Sequence, residues 1–129
     1  MKGPDRTTVR LVPRHLRTMA DQAFENNEDV PIVVVNGPDP LVLLAAAMSF
    51  NEPIDELRVA SALHERLYGA KLGLVELPNG VQVPAESEYA MEARITTKLD
   101  DEGPYVDITG TVDDIRQEQV IEYDSIYHR

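Results

Sequence analysis

A chain of 129 residues with 43% hydrophobic content is long enough to bury one core and too apolar for a disordered coil. Its 23 acids against 12 bases give a net charge of −11, a surface that repels phosphate backbones and speaks against general nucleic-acid binding. Cysteine is absent, which excludes disulfides and thiolate nucleophiles.

The first residues, Met1-Lys2-Gly3-Pro4-Asp5-Arg6, lead into no apolar signal core, so an intracellular, cytoplasmic protein is expected. Low lysine beside abundant Asp and Glu also suits a salt-rich cytoplasm, or simply an acidic protein. Thr7 to Val12 reads as a short strand, stopped by Pro13, which suits the first turn of a helix. Leu16, Met19, Ala20, Ala23 and Phe24 then share one helical face, which predicts a helix from Arg14 to Asn26. The β-branched run Val30 to Val35 predicts a strand buried on both faces. Asn36-Gly37-Pro38-Asp39-Pro40 is a turn that opens an Ala/Leu helix from Leu41 to Met48, a run too short to span a membrane. Ser49 to Pro53 breaks that helix. Ile54 to Tyr68 reads as a third, with Asp55 favouring its dipole and Gly69 closing it.

The second half changes character. Lys71 to Leu77, Val81 to Val83, Glu88 to Thr97, Tyr105 to Val112 and Gln119 to Tyr127 all read as strands. The clearest alternation sets Tyr89, Met91, Ala93 and Ile95 against Glu88, Ala90, Glu92 and Arg94. Pro78-Asn79-Gly80 is a hairpin turn with Asn-Gly at its centre. Strands joined by short turns, after a helical first half, predict an α+β fold: a mostly antiparallel, barrel-like sheet with about three helices.

Glu102-Gly103-Pro104-Tyr105-Val106-Asp107-Ile108-Thr109-Gly110 is the most informative stretch. It sets two carboxylates five residues apart around a Gly-Pro turn. In a strand, Asp107 would share a face with Tyr105 and Thr109, with Glu102 on the turn behind it. Two such acids can hold unequal pKa values, one donating a proton and one orienting a cation. The plainer alternative is a polar loop followed by a strand with one solvated acid. His15 and Glu56 are candidate metal ligands by residue type, yet a histidine near a helix start also serves as a cap and a first-turn glutamate favours the dipole. His64 and His128 read as surface residues. Ser49, Ser61, Ser87 and Ser125 lack the glycine pair of a nucleophile elbow.

Taken together, these segments resemble the UbiD-type carboxy-lyases, decarboxylases that use prenylated FMN. Leu11-Val12-Pro13-Arg14-His15-Leu16 is similar to the family's strand-to-helix histidine motif, and Pro31 to Val35 followed by Asn36-Gly37-Pro38-Asp39-Pro40 to its buried strand and Gly-x-Asp-Pro. Ala45-Ala46-Ala47-Met48, Ile54-Asp55-Glu56-Leu57 and Ala60-Ser61-Ala62-Leu63 resemble the metal-ligand helix region. Val83-Pro84-Ala85 and the Glu102 to Gly110 stretch resemble the family's strand entry and acidic motif.

The resemblance implies an FMN-binding-like split β-barrel. His15 and Glu56 would be ligands of a divalent metal, commonly manganese, that holds the flavin phosphate. The Met48 carbonyl region would line a monovalent-cation site, and Arg14 would lie beside the flavin. Asp107 would protonate the carbon left by departing CO₂, and Glu102 would hold an active-site arginine. The substrate would be a small aromatic or α,β-unsaturated carboxylic acid. The family's asparagine ligand and active-site arginine belong to segments upstream of the histidine motif that this sequence does not carry. The expectation is therefore a single domain over 1–129 resembling the middle domain, without the family's N-terminal segments and C-terminal oligomerisation domain. It would be a decarboxylase domain or small subunit, inactive alone and completed by a partner chain, and a homo-oligomer. The alternative is a non-catalytic paralogue acting as a binding or assembly protein.

Overall fold

The computed structural model describes residues 3–48, 50 and 54–129. Eight strands and three helices occur among the described residues: β1 (Arg6–Val9), α1 (His15–Glu25), β2 (Val30–Asn36), α2 (Pro40–Ala47), α3 (Glu56–Tyr68), β3 (Leu74–Glu76), β4 (Gln82–Pro84), β5 (Tyr89–Glu102), β6 (Tyr105–Val106), β7 (Val112–Asp113) and β8 (Arg116–His128). The mixed α+β class expected from the sequence is present. The strands form one four-stranded sheet in the order β1-β8-β5-β2 and two small two-stranded sheets, β3-β4 and β6-β7, and none closes into a barrel among the described residues. β1 runs antiparallel to β8, with Thr8 opposite Val120.

The chain gathers into two compact units. The first comprises residues 1–32 and 93–125, the second 33–92 and 126–129. In the first unit, α1 lays Ala20, Ala23 and Phe24 against Leu11, Val30, Ala93, Ile95 and Ile121, so the C-terminal part of the predicted face packs, while Leu16 and Met19 at its N-terminal end are exposed. Ile95 is fully buried at the centre. Beside it the buried Thr96 hydroxyl donates to the Val120 carbonyl at 3.0 Å, satisfying a polar group that burial would otherwise penalise.

The second unit has a thinner core. Ala45 of α2 and Ala60 of α3 pack with Leu72, flanked by Val42 and Val59, and their small side chains let the helices approach closely. Asp39 caps α2 by accepting the Leu41 amide at 2.8 Å, and Pro40 occupies the first turn. Asp55 caps α3 by accepting from Leu57 and Arg58, and Gly69 ends it in the left-handed conformation at φ +76. The break expected at Ser49 to Pro53 falls outside the described residues, Phe50 apart. The Asn-Gly hairpin forms as expected between β3 and β4, with the Leu77 amide bonded to the Val81 carbonyl and Gly80 at φ +82.

Several expectations are corrected. β2 is half-buried along most of its length rather than buried on both faces, because it lies at the edge of its sheet. The strand predicted from Lys71 to Leu77 shrinks to Leu74–Glu76. On β5 the buried face changes phase between Glu92 and Ala93, both buried, so the first residues alternate opposite to the pattern read from the sequence. Tyr89 is exposed while Ala90 and Glu92 are buried, and the buried Glu92 carboxylate is satisfied by accepting the Asn79 amide and the Tyr127 hydroxyl, each at 2.8 Å. His64 is no simple surface residue either. Its Nδ1 lies 2.6 Å from the Ala70 carbonyl, its Nε2 4.0 Å from Asp39, and its ring meets Tyr68 edge-on.

Candidate functional site

The acidic stretch belongs to the first unit, and its shape departs from the single strand expected from Tyr105 to Val112. β5 ends at Glu102, the chain turns at Gly103 and a cis Pro104, and a hairpin follows in which Tyr105 faces Asp113 and Val106 faces Val112. Gly103 is required there: it sits at φ +96, and an added Cβ would stand 3.2 Å from the Asp114 carbonyl oxygen.

Asp107 explains why the strand breaks. Its Oδ1 accepts the Thr109 amide at 2.8 Å, the Thr109 hydroxyl at 2.6 Å and the Thr111 amide at 3.0 Å. Its backbone carbonyl accepts from Gly110, which turns at φ +83. A short acid that satisfies amides two and four residues ahead builds a turn, and this competes with continued pairing. Asp107 therefore shares no strand face with Tyr105 and Thr109. The Thr109 hydroxyl first, then the Thr111 and Thr109 amides, hold its carboxyl below the ordinary aspartate value.

Glu102 is half-buried and accepts the Thr8 hydroxyl at 3.3 Å. Next to it, Asp113 is shared by two guanidinium groups, Arg116 at 2.6 Å on Oδ1 and Arg10 at 3.5 Å on Oδ2. Sequence reading named none of Thr8, Arg10, Asp113 and Arg116. They lie up to 108 positions apart, and only strand pairing brings the two ends of the chain together.

Arg14 and His15 stand in the same unit, at the start of α1. Arg14 is the N-cap residue, its carbonyl accepting the Thr18 amide at 3.1 Å, and His15 opens the helix, exposed. No side chain caps this terminus by a hydrogen bond and no acid lies in its first turn. A helix start of that kind, with an arginine and a histidine beside it, is chemically suited to an anionic group such as a flavin phosphate.

Met48 and Glu56 belong to the second unit. Met48 follows α2 with its amide bonded to the Ala45 carbonyl at 3.1 Å, and half-buried Glu56 is the first residue of α3. One imidazole and one carboxylate are suitable donors for a divalent cation. Among the described residues no group of three or more His, Asp or Glu side chains is placed to hold a metal.

A third cluster, also unforeseen, sits in the first unit. Arg94 meets Asp29 at 3.4 Å, Glu122 at 2.7 Å and Asp124 at 2.6 Å, while Lys98 reaches Glu122 at 2.7 Å. It borders an open cavity of about 560 Å³ that Asp5 and Arg6 also line. The hydrogen bonds that Arg94 donates to Asp124 and Glu122 raise its pKa, and those that Glu122 accepts from Lys98 and Arg94 lower its own. Arg94 is thus committed to three carboxylates, and its charge is compensated from within the protein.

Comparison with known proteins places these features in a family. The family profile described as UbiD, 3-octaprenyl-4-hydroxybenzoate carboxy-lyase Rift-related domain, matches residues 1–129. Anhydromevalonate phosphate decarboxylase of Methanocaldococcus jannaschii is 38% identical over 97% of this chain, which spans 29% of that protein. Among solved structures, the UbiD-class enzyme HmfF from Pelotomaculum thermopropionicum in complex with FMN superposes with a TM-score of 0.90 at 31% identity, over 99% of this chain and 28% of HmfF. An evolved dimeric form of HmfF, in complex with prFMN, matches equally well. The closed form of the vanillic acid decarboxylase ShVdcCD from Sedimentibacter hydroxybenzoicus gives 0.88 at 26% identity, over 100% of this chain and 27% of that one. No helix among the described residues is long and apolar enough to cross a membrane. The chain belongs to the UbiD family of carboxy-lyases.

Proposed function

We propose that this chain is the part of a prenylated-FMN-dependent decarboxylase that carries the proton donor and two of the metal ligands. The observation that supports it most is similarity over essentially the whole chain to decarboxylases of several substrates. The substrate class is an aromatic or α,β-unsaturated carboxylic acid. Because the relative from Methanocaldococcus acts on anhydromevalonate phosphate, that acid is the first to try. The split barrel, the manganese ion, a complementing chain and homo-oligomerisation belong to the same reading. The open four-stranded sheet would be the described portion of that barrel.

In this reading prenylated FMN, when bound, supplies the electron sink for loss of CO₂. His15 and Glu56 would contribute an imidazole and a carboxylate to the divalent ion, Arg14 would lie at the flavin, and the Met48 carbonyl would face a monovalent cation. Glu102 would hold an arginine supplied from elsewhere by charge-assisted hydrogen bonds. Asp107 would deliver the proton. Its Thr109 and Thr111 partners favour the ionised form, so Asp107 must first take up a proton, and burial beneath bound substrate is what would raise its pKa enough.

The test is cofactor loading. Once the remaining family segments are supplied with this chain, an absorbance spectrum and metal analysis should find flavin and manganese. His15→Ala and Glu56→Ala should each lose the metal. A colourless, metal-free assembly would overturn the proposal and favour the non-catalytic binding or assembly role.

A further inference from the structure

We propose that Thr8 and Arg10 form a two-point clamp that positions the acidic hairpin against the chain leading into α1. Thr8 lies on β1 and Arg10 just beyond its end, both shortly before α1. Each reaches one arm of the hairpin base. Thr8 donates to Glu102 where β5 ends, and Arg10 meets Asp113 on β7. Those arms are adjacent, since Gly103 abuts the Asp114 carbonyl. Arg116 holds the other oxygen of Asp113 and so fixes the carboxylate that Arg10 engages.

Burial does not hold this ribbon. Tyr105, Val106 and Val112 are exposed, Asp113 is half-buried, and Ile108 at the tip is fully solvated. A two-stranded ribbon without a buried face is marginal in water, so polar ties at its base decide how often it opens. Arg10 also lies four residues before Arg14 and five before His15. The clamp therefore couples the two groups of candidate residues within this unit. Its consequence for turnover, though not its existence, rests on the decarboxylase reading.

Hydrogen exchange on the 129-residue chain tests the clamp. Arg10→Met keeps the stem and removes the charge. It should speed exchange of amides in 103–113 roughly two- to fivefold, the effect of one exposed ion pair, and leave amides around Ile95 unchanged. Arg10→Lys should restore most of the protection, and 1 M salt should reproduce the Met variant in the wild type. Thr8→Val should add a smaller, separate increase. Hairpin exchange unchanged in Arg10→Met would overturn the clamp, as would an equal rise in the core. In the assembled enzyme the Met variant should lower kcat with KM unchanged, and the Lys variant should recover it. Faster hairpin exchange in an assembly that never decarboxylates would keep the clamp and remove the function.

Discussion

Ile95→Ala examines the scaffold from which the acidic motif departs. Ile95 has no exposed surface and sits among Leu11, Ala20, Val30, Ala93 and Ile121, seven residues before Glu102 on the same strand. The substitution deletes three buried carbons, at about 0.8 kcal/mol each for transfer alone. The remaining void adds to this, because α1 and the sheet fill it only in part, so the total loss is about 3–4 kcal/mol. A protein of this size has an unfolding entropy near 0.27 kcal/mol/K, so the midpoint should fall by about 11–15 °C. Thermal and urea melts followed by circular dichroism read both quantities. Ile95→Val should cost about 1 kcal/mol in the same assay. A loss below 1 kcal/mol for the alanine variant would mean that the side chain is not sealed into a packed core, and the placement of β5 would fall with it.

Three further predictions concern the loops and charges. Gly37 sits at φ +63 with the Glu88 side chain against it, an added Cβ lying 2.6 Å from Glu88 Cγ. Gly37→Ala should therefore cost more in the same melts than the about 1–2 kcal/mol of the left-handed backbone alone, because Glu88 Cβ, 3.0 Å from the added methyl, is fixed by its backbone and cannot swing aside. Asp107→Asn keeps an acceptor for the Thr109 and Thr111 amides and should leave hairpin exchange close to wild type, whereas Asp107→Ala should raise it; equal exchange in both would refute the turn-building role. Asp107 and Glu122 are both held below their ordinary values of 3.8 and 4.5. The unfolded chain thus binds protons first, so their stabilisation is complete above about pH 4.5 and is lost as pH falls through the lower folded values. Acid titration of stability should show a shallower slope in Glu122→Gln, and an unchanged slope would remove Glu122 from the account.

What the sequence made legible follows from range. Local rules placed the end of α3 at Gly69, its start within two residues of Glu56, the Asn-Gly hairpin and the Ala20, Ala23 and Phe24 part of the α1 stripe, because each depends on neighbours within one or two turns. The fate of Tyr105 to Val112 was harder. Its β-branched composition argues for one strand, while the Asp107 side chain binds amides two and four residues ahead and breaks it. The turn signal lies in Asp-Ile-Thr-Gly-Thr, where the Asp107 side chain overrides the strand propensity of its neighbours. Glu92, Arg94 and Asp113 were beyond reach in principle, since their partners Tyr127, Asp29 and Arg10 come from 35, 65 and 103 positions away. The candidate site divides the same way. Residue types and the family likeness pick out His15, Glu56, Glu102 and Asp107, while the groups that hold the hairpin emerge only from the fold.

The most direct measurement is product formation by the enzyme assembled from this chain and the remaining family segments, loaded with prenylated FMN and manganese, in the wild type and in Asp107→Asn. The proposal predicts turnover of an unsaturated acid by the wild type and none by the variant, with the flavin spectrum unchanged between them. Equal rates of CO₂ release from both would contradict it.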